Sequence, residues 1–155
     1  MKINLVNCKT SAQAVTKVCY NESTRNLDFR IQCKNLEDLK KCVRIIKGYN
    51  DFDWKTVNKA LDNWANFKQY YDSTNSNNGS DLLTYDIGRE GSPVMYIKYS
   101  KLSILGKKYQ ENGQIKEFTQ ELFEENMGTL AGIAKADECD IYKEGSYLVC
   151  RLWWD

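Results

Sequence analysis

Two short triplets, Asp38-Leu-Lys40 and Asp53-Trp-Lys55, carry the carboxylate–lysine spacing of a metal-dependent nuclease site. Such a site needs several carboxylates gathered on strands. Both triplets instead open helical patterns, where an acid ordinarily caps backbone N–H groups. Glu121 and Glu125 lie one helical turn apart and could share acid–base work. Nothing around them marks either as buried or perturbed.

The chain has no histidine. That removes Ser-His and Cys-His nucleophilic pairs, a histidine general base and every histidine metal ligand. Cysteines stand at 8, 19, 33, 42, 139 and 150, with no CxxC pair among them. A four-cysteine zinc site usually carries closely spaced ligand pairs. The cysteines therefore read as free, mostly buried thiols, and neither a metal nor a cofactor is expected. The stretch Gly88-Arg-Glu-Gly-Ser92 has neither the phosphate-loop nor the dinucleotide pattern. It reads as a hairpin tip, with Arg89 and Glu90 placed to touch a partner. No constellation meets the requirements of an active site, so the chain is not expected to be an enzyme.

Charge patterns are the remaining signal. The net charge is +1, but residues 1–80 carry a net +5 and residues 81–155 a net −4. Lys40, Lys41, Arg44 and Lys47 share one side of a helical pattern and could contact phosphates. No aromatic residues interleave with them in sequence, and the near-neutral pI of about 7.5 argues against a dedicated nucleic-acid domain. Glu117, Glu121, Glu124 and Glu125 form an acidic stripe around a third helix, joined on that side by Gly128 and Gly132. Either Gly128 ends that helix, or the glycines flatten the face for close approach. A flat acidic face could meet the basic groove of a nucleic-acid enzyme, its carboxylates standing in for phosphates.

The elements that position these groups follow from periodicity. Leu27–Cys33 alternates strictly and reads as a half-buried strand, with Ala14–Tyr20 as its hairpin partner or else a helical turn. Ile3–Asn7 is a short strand. Asn35 caps a helix, Asp38 takes the reciprocal capping position, and Gly48 falls where a C′ glycine belongs. Asp53 caps a second helix to about Tyr71. Residues 73–81 are a polar, flexible loop. Leu82–Ile87 pairs with Val94–Tyr99, Leu102–Gln110 with Gln114–Phe118 across Asn112-Gly113, and Cys139–Lys143 with Tyr147–Trp154. Thr119 caps the third helix. The expected class is α+β, a mainly antiparallel sheet built from hairpins and packed against about three helices, with residues 1–155 as one domain.

On the last strand Leu148, Cys150, Leu152 and Trp154 share one side, and Tyr147, Val149, Arg151 and Trp153 the other. The first side is uncharged and expected in the core. The second offers Tyr147, Arg151 and Trp153, residue types enriched at binding hot spots.

No membrane span and no secretory signal are read, so a cytoplasmic protein is expected. The Asn-, Lys- and Tyr-rich, histidine-free composition resembles that of small proteins from AT-rich bacterial genomes and their phages. The expected function is a non-enzymatic protein-binding module. Its most concrete form is a phage-type inhibitor of a host defence nuclease, an anti-CRISPR-like protein acting in the bacterial host. The partner would then be a protein, a nucleic-acid enzyme in the concrete case. The alternatives are a nucleic-acid-binding accessory protein using the basic helix, or a small carboxylate-dependent enzyme.

Overall fold

A computed structural model describes residues 8–73, 83–100 and 108–155. The described elements run α1 (Ser11–Cys19), β1 (Phe29–Cys33), α2 (Leu36–Ile46), β2 (Gly48–Tyr49), β3 (Phe52–Asp53), α3 (Trp54–Ser73), β4 (Leu83–Arg89), β5 (Pro93–Ser100), β6 (Lys108–Glu111), β7 (Gln114–Glu117), α4 (Gln120–Ala134), β8 (Glu138–Glu144) and β9 (Tyr147–Trp153). The class is α+β, with four helices among the described residues. A five-stranded antiparallel sheet has the order β1-β4-β5-β9-β8, and β2-β3 and β6-β7 form small separate ladders.

The register fixes what each side of the large sheet carries. Ile31, Ile87, Met95, Leu152 and Cys139 stand in one row across the five strands. Cys33, Tyr85, Ile97, Cys150 and Ile141 stand in the next. This side packs against all four helices in one continuous core, joined by Leu39, Val43, Leu61, Trp64, Phe123 and Met127. Gly88 on β4 lets β1 come close. A Cβ there would lie 2.0 Å from the Phe29 carbonyl oxygen, far inside contact distance.

Several local expectations hold and several are corrected. Asn35 accepts from the Asp38 N–H and the Asp38 carboxylate accepts from the Lys34 N–H, so Asp38 is a capping residue. Asp53 likewise accepts from Thr56 at the start of α3. Asn112 and Gly113 both take positive φ, as the tight β6–β7 turn requires. The segment Ala14–Tyr20 is no strand. Thr10 caps a helix there, and Ala14, Val15 and Val18 form a helical apolar face that is buried. A strand would have turned Val15 and Val18 to opposite sides. The C-terminal turn of α2 is closed by Lys47, at φ +66°, and not by Gly48, which begins β2. Gly128 does not stop α4, which runs through both glycines to Ala134 and ends on Lys135 in the left-handed conformation. The strand over 3–7, most of the loop over 73–81 and the first part of Leu102–Gln110 lie outside the described residues. No helix among the described residues is long and apolar enough to cross a membrane.

Candidate functional site

The other side of the large sheet is not covered by any described helix. Its rows read Arg30–Gly88–Val94–Trp153–Glu138, then Gln32–Asp86–Tyr96–Arg151–Asp140, then Thr84–Lys98–Val149–Tyr142, with Tyr147 opposite Glu144 at the end. A small apolar patch of Val94, Tyr96 and Val149, with Trp153 packed on it, lies at its centre. Long charged side chains shield the patch from water, which is how an uncovered sheet face normally keeps apolar groups dry.

Two ion clusters flank the patch. On one side Asp86 is buried, and its carboxylate accepts from Arg30 Nε at 2.7 Å with Lys98 Nζ at 3.4 Å. The Arg30 guanidinium lies over the Tyr96 ring, 3.7 Å from its centre, a cation–π contact. Two cations and an aromatic face thus compensate one buried carboxylate, as burial of a charge demands. On the other side Arg151 reaches Glu90 at 2.8 Å, Glu138 at 3.0 Å and Asp140 at 3.3 Å. These carboxylates hold the guanidinium above its ordinary value, against the opposing effect of burial. One cation among three carboxylates leaves the cluster acidic. Trp153 Nε1 donates to the Glu90 carbonyl at 3.0 Å, tying the hairpin tip to the last strand.

At the Tyr147 end the face opens into a hollow of about 430 Å³, lined by Gln32, Thr84, Asp86, Lys98, Glu144 and Tyr147. Tyr147 and Tyr142 are 42% and 37% exposed. The Asp86 carboxylate, the one buried acid among the described residues, is paired with both Arg30 and Lys98. The face carries charged side chains and partly exposed aromatic rings.

The residues singled out from sequence are thus brought together in part. Tyr147, Arg151, Trp153 and Glu90 share this face. Arg89 does not, because its guanidinium turns to the Leu27 carbonyl and the Cys19 sulfur. Glu121, Glu124 and Glu125 are exposed on α4, while Glu117 sits on β7 and precedes the helix. Lys40 is taken up by Glu37 and Asp62, whereas Lys41, Arg44 and Lys47 form no ion pair among the described residues. Asp38 and Asp53 cap helices. Sequence reasoning missed Arg30, Asp86, Tyr96, Lys98, Glu138, Asp140 and Tyr142. The alternation within β1, β4, β5 and β8 signals each of them as outward-facing, but not that they face outward together. None of the six cysteines is disulfide-bonded, and no group of three metal-ligating side chains is found among the described residues.

No protein-family model matches this chain, and neither a curated protein nor a solved structure is detectably similar to it.

Proposed function

We propose that the chain is a non-enzymatic protein-binding module whose working surface is the open face of the sheet. The observation that carries this reading is the company Trp153 keeps. It stands with Tyr142, Tyr147 and Arg151 on a side that no described helix covers, ringed by Glu90, Glu138, Asp140 and Glu144. Aromatic and arginine anchors at the centre of a polar rim are what binding energy concentrates on. The carboxylate surplus selects a basic partner and speeds its approach.

In its concrete form the partner is a host defence nuclease. The carboxylates would occupy the groove where the nuclease binds nucleic-acid phosphates, an anti-CRISPR-like inhibition in the bacterial cytoplasm. The exposed acids of α4 would add a second contact. The test is capture of bacterial defence nucleases on immobilised protein, followed by a cleavage assay with the captured enzyme. Stoichiometric retention and inhibition, lost on combining Tyr147→Ala with Trp153→Ala, is the expected result. Unchanged inhibition by that double variant sinks the assignment of the surface. Failure to inhibit any nuclease that it retains sinks the concrete form.

A further inference from the structure

A second surface, on the helical layer, has chemistry the open sheet face lacks. Where α1 meets the end of α2, two hollows of about 470 and 310 Å³ adjoin, with Tyr20 lining both. The first has a floor of Ala12, Thr16 and Ile45 and a rim of Lys41, Arg44 and Lys47. The second takes in Arg25, Arg89, Ile46 and Tyr49. Neither is lined by a carboxylate. None of the five cations makes an ion pair among the described residues, although Lys40, one position before Lys41, is neutralised by Glu37 and Asp62. Arg89 is held by the Leu27 carbonyl and the Cys19 sulfur, and Arg44 lies over the Trp54 ring, but no partner of either carries negative charge. Cations without a carboxylate along one groove set up a local positive field that the net charge hides.

Two further features mark the place. Tyr20 is 59% exposed, the most exposed aromatic side chain among the described residues, yet its hydroxyl donates to the Ile45 carbonyl at 2.8 Å. The ring is therefore fixed while a broad part of its surface stays open to solvent. Lys47 holds φ +66° and ψ −94°, a region costly for any residue with a Cβ, and the Trp54 N–H donates to its carbonyl at 2.8 Å to keep it there. A glycine would take that conformation at less cost. The lysine at this position sets an ammonium on the rim of the groove.

We propose that this groove binds single-stranded nucleic acid, with a base stacked on Tyr20 and the flanking phosphates paired with Lys41, Arg44 and Lys47 on one side and Arg25 on the other. Cations in line with a fixed, exposed ring are the recurring recipe for sequence-tolerant binding of unpaired strands. Each hollow falls in the size range of a small-ligand pocket, enough for one nucleotide. An acidic peptide would use the cations but has no need of an open ring. A duplex offers no free base face to stack. The inference is independent of the proposed function, because the groove lies on the helical layer and shares no residue with the open sheet face.

The experiment is fluorescence anisotropy with a short labelled oligonucleotide of mixed sequence, as single strand and as duplex, and with a labelled acidic amphipathic peptide. Single-strand binding in low salt that weakens steeply as salt rises is expected. Tyr20→Leu should weaken it roughly 5- to 100-fold, the range of one lost base stack, while Tyr20→Trp retains it. The double variant Lys41→Gln, Lys47→Gln spares Arg44, whose guanidinium lies over the Trp54 ring, and should flatten the salt dependence while its melting temperature stays put; a triple variant adds Arg44→Gln to it. No single-strand binding in low salt, tighter binding of the duplex, binding of the peptide alone, or affinity indifferent to both Tyr20→Leu and the triple variant each overturns the proposal.

Discussion

Trp153 and Trp154 are chain neighbours with opposite surroundings. Trp154 is fully buried, its ring edge-on to Phe52 and its Nε1 donating to the Ala134 carbonyl at 2.9 Å. Trp153 lies on the open face and loses little core if removed. In chemical denaturation Trp154→Ala should cost about 3–5 kcal/mol, as large-to-small core changes do. Trp153→Ala should cost about 1–2 kcal/mol, one hydrogen bond and partial packing. The opposite ranking would refute the assignment of faces. The thiols are graded in the same way. Cys139 is exposed and shares a hydrogen bond with the Cys150 thiol, 3.8 Å away, which draws it below the ordinary thiol range. Hydrogen bonding and burial hold Cys33 and Cys150 far above that range. Ellman's reagent on the native protein should therefore modify Cys139 in its fastest phase. That phase should vanish in Cys139→Ser and persist in Cys33→Ser.

Asp51 adds a pH-dependent prediction. The Asp137 carboxylate beside it, with Asp155 near, raises its pKa above the ordinary carboxylate value. A folded-state value above the unfolded one means that folding binds the proton more tightly. Stability is then present at low pH and is lost as pH rises through the raised value. Asp51→Asn should raise the melting temperature at neutral pH, with the gain shrinking as pH falls below the carboxylate range. A gain of equal size at both pH extremes would show that charge repulsion is not its source.

At the scale of elements, α4 is unusual in carrying Gly128 and Gly132 inside a helix whose other side is deeply packed. Nothing lies within 4 Å of where a Cβ would stand at either position. The fold does not need these glycines, and alanine avoids their entropic cost. Gly128→Ala and Gly132→Ala should each stabilise the protein by about 0.5–1 kcal/mol. If the acidic side of α4 docks closely on a partner, the same substitutions should weaken that complex while the melting temperature rises. A destabilising effect of either would mean the helix is constrained by something other than its visible neighbours. The α1 segment shows why an element type can be misread: Ala14–Tyr20 contains β-branched residues at both helical and strand spacing. The decision came from the Thr10 cap and from which pattern buries Val15 and Val18 together.

For the whole molecule, charge separation organises both surfaces. Four basic residues of the first half, Arg25, Lys41, Arg44 and Lys47, line the α1–α2 groove, and many acids of the second half lie on β8, α4 and the Glu90 tip. Reversing Glu117, Glu121, Glu124 and Glu125 to Lys should leave the fold intact, since exposed charges contribute about 0–1 kcal/mol each. It should slow association with a basic partner, and the difference should fade at high salt. Association kinetics at two salt concentrations would show it, and an unchanged rate at low salt would remove α4 from the interface.

Alternation, capping residues and turn glycines were legible in the sequence because each acts over a few neighbouring residues. They gave the α+β class, the β4–β5 and β8–β9 hairpins, the Asn35, Asp53 and Thr119 caps and the two faces of the last strand. Which strands lie side by side is set by contacts between residues far apart in the chain. The rows that put Arg30 in line with Trp153, or Asp86 in line with Arg151, therefore exist only once β1 has paired with β4, β4 with β5 and β5 with β9. The same holds for the groove. Tyr20 caps the end of α1 and Lys41 lies on α2, and only the packing of α1 on α2 sets an aromatic ring among cations that no local pattern interleaves.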